Sequence, residues 1–185
     1  MTAAAAYRLR LALAIAVAVT ATGLAVALAG PVSLPLRSWP APVPLTAVSE
    51  ARAVRAASAD PVDLDAVERF SRDTLAARPG EAAAWARLAW VASERRDVAA
   101  MHEALERSYT VAPYGPDITA WRLRFAYGQW AALTPELRRL ATEELMVSAR
   151  YRHQMTAEAF AEVSDPAGRL AFDLTVRSVQ AASRG

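Results

Sequence analysis

Residues able to carry chemistry are few in this sequence, and their spacing does not assemble them. His102 and His153 are the only histidines, and neither falls in an HExxH box or a local ligand pair of the kind a zinc site uses. Both read as surface side chains. Glu158 and Glu162 stand at i and i+4, and paired carboxylates hydrolyse glycosides when they face each other across a cleft. Two carboxylates along one short helix instead make a solvated acidic face, and Glu143-Glu144 reads the same way. Serines occur without a GxSxG elbow, and no GxxxxGK[ST] or GxGxxG loop is present to cradle a phosphate. The expectation is therefore no catalytic residue, no cofactor and no metal, leaving a protein that acts by binding.

Whatever binds must be positioned by helices. From Thr46 the apolar residues Val48, Ala51 and Val54 are spaced for one helical face until Asp60-Pro61 interrupts. A second helix is expected from Asp63 to Ala77, burying Val67, Phe70 and Leu75 and stopping at Arg78-Pro79-Gly80. Trp85, Leu88, Ala89 and Ala92 then fall at i, i+3, i+4 and i+7. Arg95-Arg96-Asp97 reads as a tight turn with Asp97 as N-cap, followed by a helix that buries Val98, Met101, Leu105 and Ala112, with Tyr109 flanking, and ends at Pro113. A helix opening near Pro116-Asp117 carries two apolar rows, Ile118/Trp121/Phe125 and Leu123/Tyr127/Trp130, which suits a central layer. Thr134-Pro135-Glu136 starts another helix running to Tyr151. Two shorter helices follow, over Thr156 to Val163 and from Asp165-Pro166 to about Ala181. No segment reads as a strand, so the fold class is all-α, built of antiparallel helical hairpins.

Pro79 and Pro113 lie 34 residues apart and enclose one complete helix-turn-helix that begins with Trp85-x2-Leu88-Ala89. This unit resembles a tetratricopeptide repeat (TPR), with Trp85, Leu88, Ala89, Leu105, Ser108 and Pro113 matching the family pattern. It departs from that pattern at Ala92, where tyrosine is usual, at Met101, where alanine is preferred, and at Arg96, in a turn often made by glycine. The flanks are degenerate. Val67, Leu75 and Pro79 resemble the second half of a preceding unit, Trp121 begins a following one two residues late, and the likeness spans about Asp63 to Tyr151. A helical bundle without repeats accommodates the same hairpin. The resemblance implies that Arg87 and Trp90 face a concave groove, with Arg124 and Tyr127 of the next helix on the same surface. Trp90 also stands about 140° off the Trp85/Leu88/Ala92 stripe, and an Arg beside a Trp suits a peptide carboxylate or a sugar ring.

The stretch Leu11 to Ala29 holds no charge, and as a helix it would reach about 28 Å, close to a hydrocarbon core of about 30 Å. The expected organisation is a cytoplasmic N-terminus over 1–10, a transmembrane signal anchor over 11–30, a proline-rich linker over 31–45 and a helical domain over 46–185. Ala27-Leu28-Ala29 also has the form of a signal-peptidase site, which would release a soluble module at Gly30. Arg8 and Arg10 precede the apolar run, so the domain is expected outside the cytoplasmic membrane of a bacterium. The absence of lysine and asparagine beside abundant alanine and arginine fits a GC-rich bacterial genome. The chain's net charge is +2, but residues 1–49 contain three arginines and no acid. The remainder has 18 arginines against 19 acids, interleaved, which argues against nucleic-acid binding. Anchor, spacer and degenerate repeats together resemble small accessory proteins of bacterial envelope and exopolysaccharide systems, which implies protein partners in the envelope.

Overall fold

The computed structural model describes residues 46–183 together with Val19 and Thr20. The segment read as an anchor, 11–30, lies outside that range apart from those two residues, as do 1–10 and the linker 31–45. Among the described residues no helix is long and apolar enough to cross a membrane.

The described chain is all-helical. Its α-helices are α1 (Thr46–Ala57), α2 (Leu64–Ala77), α3 (Ala82–Glu94), α4 (Val98–Val111), α5 (Thr119–Gly128), α6 (Pro135–Tyr151), α7 (His153–Ala161) and α8 (Pro166–Ala182), with a 3-10 turn over Trp130–Ala132. Four starts are set by side-chain caps that satisfy a first-turn N–H. Asp63 accepts from Ala66, Asp97 from Ala100, Thr134 from Leu137 and Asp165 from Gly168, at 3.0, 3.0, 3.2 and 3.1 Å. Pro135 and Pro166 occupy first-turn positions where a missing N–H costs nothing. Between α3 and α4 the chain reverses through Arg96 at φ 59°, a left-handed conformation that glycine adopts without a Cβ penalty. Arg96→Gly is expected to raise stability by about 1 kcal/mol in urea unfolding.

Helices α1 to α4 pack in sequence, each on the next, as antiparallel hairpins. Alanine does much of the burying. In α1 the buried residues are Val48, Ala53 and Ala56, whereas Val54 is half exposed, so the stripe expected through Ala51 and Val54 is rotated toward the alanines. Val98, expected inside, is also exposed, while Met101, Leu105 and Tyr109 are buried. On the outside of α2 and α3, Arg95 clasps Asp65 and Glu68, and Arg72 bonds Glu68 as well. Hydrogen bonds from Arg95 and then Arg72 hold the Glu68 carboxyl below the usual carboxylate range. A depressed acid contributes stability above its unfolded-state pKa, about 4.3, and that contribution is lost as pH falls through the folded value. Glu68→Gln should therefore unfold earlier than the native chain at pH 7, with the gap closing in urea melts below about pH 4.

The second half is arranged differently. Helix α5 touches α6, α7 and α8, and α6 also packs on α7 and α8, so these four close on one another and do not continue the stack of hairpins. One hydrophobic core runs from Ala89 and Leu105 in the array through Leu123 and Leu145 to Phe172 in α8. Tyr127 is wholly buried there, stacked on Trp130 at 4.7 Å and edge-on to Phe172 at 4.8 Å. Burial pushes its hydroxyl up to about 12.

The joint between the halves is ionic. Arg122 of α5 and Glu144 of α6 are 0% and 1% exposed and ion-paired, so Glu144 is no part of an acidic surface. Arg122 donates to the carbonyls of Ser108, Ala112 and Pro113 at the end of α4, at 2.9, 2.7 and 3.1 Å, and lies over the Tyr109 ring. A cation there answers the negative dipole end of that helix and the Ala112 and Pro113 carbonyls, while the Ser108 carbonyl also accepts the Ala112 N–H at 3.3 Å. Thr119 donates to the same Glu144 oxygen at 2.8 Å. Burial still drives the Glu144 carboxyl upward against the pull of Arg122.

Candidate functional site

Two of the four residues expected to meet a partner are brought together, and two are not. Arg87 turns toward α1, where it grips both carboxylate oxygens of Glu50 at 2.8 and 2.5 Å and donates to Ser71 Oγ at 3.2 Å. Its side chain is only 12% exposed, so it is an internal strut between α1, α2 and α3. Tyr127, in the core, offers no surface. Trp90 and Arg124 line a single surface groove of about 410 Å³ between α3, α5 and the turn joining α7 to α8.

Helix periodicity explains how the groove is furnished. On α5, Trp121 and Phe125 are one turn apart and stack at 4.9 Å with an interplanar angle of 13°. Arg124 lies between them in sequence and extends to Glu162, Nη1 donating to Oε2 at 2.6 Å. From α3, Trp90 contributes an indole whose inner part packs on the small core of Ala66, Val67 and Val91. Its Nε1–H reaches the groove side and donates to Glu94 Oε1 at 2.9 Å. Gln129 and Ser164 complete the polar rim.

This arrangement offers three partly exposed aromatic rings, a guanidinium–carboxylate pair and a second carboxylate. Aromatic faces supply apolar area with little conformational entropy to lose, and the charged groups supply direction. The Arg124–Glu162 pair is 36% and 59% exposed, so water screens it and a ligand can compete for either member.

Trp121, Phe125 and Glu162 also line the groove, although in the sequence the first two stand out only as part of an apolar row and Glu162 only as half of a carboxylate pair. That pair does not form, because Glu162 is the residue after α7 and turns to Arg124, whereas Glu158 accepts from Gln154 at 3.0 Å. His102 is held by the Ala132 carbonyl, with Nε2 2.8 Å away. Among the described residues no group of three or more His, Asp or Glu side chains is placed to hold a metal ion. Comparison with protein-family models, with curated proteins and with solved structures finds no match to this chain.

Proposed function

We propose that this chain is a membrane-anchored adaptor whose helical domain works outside the cytoplasmic membrane and recognises a protein partner of the bacterial envelope. It acts by binding and carries out no reaction of its own. The observation that carries the reading is the α3/α5 groove, where Trp90, Trp121 and Phe125 gather around the Arg124–Glu162 pair. Aromatic residues and arginine are the side chains that most often dominate protein recognition surfaces. The anchor rests on the uncharged run Leu11 to Ala29, and the outward orientation on Arg8 and Arg10.

The TPR-like reading is part of the same proposal. Hairpins α1–α2 and α3–α4 stack as consecutive repeats would, and the groove opens between α3 and α5, the first helices of neighbouring units in that scheme. The closed cluster of α5 to α8 then serves as a C-terminal cap. A carboxyl-bearing peptide or an envelope polysaccharide chain could enter through the same chemistry, and the envelope context follows from the resemblance alone.

The test is crosslinked affinity purification of the full-length chain from its native membranes, beside Trp121→Ala/Arg124→Glu, with mass spectrometry of the recovered proteins. Both substitutions fall on partly exposed side chains, so helical circular dichroism should be unchanged. A defined set of envelope proteins recovered with the native chain and reduced about tenfold with the variant is the expected result. Recovery that ignores the substitutions, or no specific recovery, rejects the groove as the recognition site.

A further inference from the structure

The charges of the α3/α5 groove do not balance. Among the described residues that line it, Arg124 is the one cation, against the carboxylates of Glu94 and Glu162. Arg124 is taken by Glu162. Glu94 is exposed, accepts only the neutral Trp90 indole N–H and makes no ion pair among the described residues, so one carboxylate charge is left over. Neighbouring arginines are committed elsewhere. Arg87, one turn before Trp90, holds Glu50, and Arg95, next after Glu94, is turned to Asp65 and Glu68 of α2. Arg122 of α5 is buried on Glu144, and Arg169 of α8 donates to the Val163 carbonyl and lies over the Phe160 ring.

The aromatic part of the groove has the same preference. Trp90, Trp121 and Phe125 are each partly exposed. The face of an aromatic ring carries negative charge density and attracts an ammonium or guanidinium group, tryptophan most strongly, whereas it offers a carboxylate no attraction. A ligand carboxylate would have to displace Glu162 from Arg124 and would lie in the field of Glu94. A cation displaces nothing.

We infer that the groove selects a basic segment of its protein partner, seating an arginine or lysine with its head group beside Glu94 and its carbon stem along the aromatic side chains. Arginine is the better fit of the two, since its planar guanidinium stacks on an indole while donating to a carboxylate. The stem covers apolar surface that the charged head leaves uncovered. This inference rests on the groove being the recognition site proposed above and adds the chemistry of what enters it.

The test uses the full-length chain in mild detergent and three capped peptides of equal length, repeats of Gly-Arg, Gly-Gln and Gly-Glu. The readout is the indole N–H resonances of Trp90 and Trp121, assigned with Trp90→Phe and Trp121→Phe. The Trp90 N–H is bonded to Glu94, so it responds directly to a cation arriving there. The Gly-Arg peptide is expected to shift both resonances saturably, less so at high salt, and the Gly-Gln peptide to leave them in place. Glu94→Gln keeps an oxygen for the indole but not the charge, and should weaken binding of the Gly-Arg peptide about tenfold. No shift with that peptide, a shift that Glu94→Gln leaves intact, or tighter binding of the Gly-Glu peptide overturns the inference. Crosslinked purification separates its failure from that of the groove itself. Partners kept by Glu94→Gln but lost by Trp121→Ala/Arg124→Glu overturn the basic segment and leave the groove standing, whereas partners kept by both variants reject the groove and this inference with it.

Discussion

Arg122→Met is expected to lower the unfolding free energy by about 3–5 kcal/mol, the usual cost of breaking a buried ion pair from one side. The Ala112 and Pro113 carbonyls at the end of α4 lose their donor, the Ser108 carbonyl keeps only the Ala112 N–H, and Glu144 keeps a carboxylate in the core without a counter-charge. A small domain is stable by only about 5–15 kcal/mol, so the variant should melt well below the native protein in thermal unfolding followed by circular dichroism. The pH dependence has a definite sign. Burial already raises the Glu144 carboxyl, and removing Arg122 raises it further. An acid whose folded pKa lies above its unfolded value contributes stability below the unfolded pKa and loses it as pH rises through the folded one. The variant should therefore recover part of its deficit as pH falls from 7 toward about 5, where the native chain changes less. Removing both partners, in Arg122→Met/Glu144→Leu, should cost less than the two single changes added together.

Gly168→Ala is the second large effect, and its direction runs against helix propensity. Alanine in place of glycine inside a helix ordinarily gains about 1 kcal/mol. At Gly168 a Cβ would stand 1.8 Å from the Tyr127 carbonyl oxygen and 2.8 Å from its carbon, which are backbone atoms that cannot swing aside. The first turn of α8 would have to back away from the end of α5, at a cost of about 3 kcal/mol in urea unfolding. Gly80→Ala is the control, since nothing lies within 4 Å of its added carbon. The displacement should also be felt in the groove. Glu162 and Ser164 lie on the turn leading into α8, so shifting that helix loosens the Arg124–Glu162 pair.

Local chemistry was legible in the sequence where one or two residues suffice to determine a feature. The caps Asp63, Asp97, Thr134 and Asp165 each bind an N–H three residues on, and the helices begin where those residues say. Faces were harder to read. In α1 the valine at 54 suggested the wrong side, because Ala53 and Ala56 pack closely and alanine carries little hydrophobic signal. Arg122 and Glu144 were invisible for the opposite reason. A charged residue in a helix reads as solvated by default, and only tertiary packing brings one against the other and the end of α4. The groove was half legible. The repeat likeness points to Trp90 and Arg124, which do share a surface, but also to Arg87, which Glu50 holds, and Tyr127, which the core buries. Those partners lie 37 residues away or in other helices, beyond what periodicity can report.

The Arg122 joint also bears on how the domain comes apart. In an array of repeats, each unit touches only its neighbours, so ends fray independently and unfolding spreads stepwise along the stack. Here one guanidinium holds the last carbonyls of α4 and a carboxylate of α6 together, and a single core spans both halves. Hydrogen exchange in α4, α5 and α6 should accordingly report one shared opening free energy, the mark of a single cooperative unit.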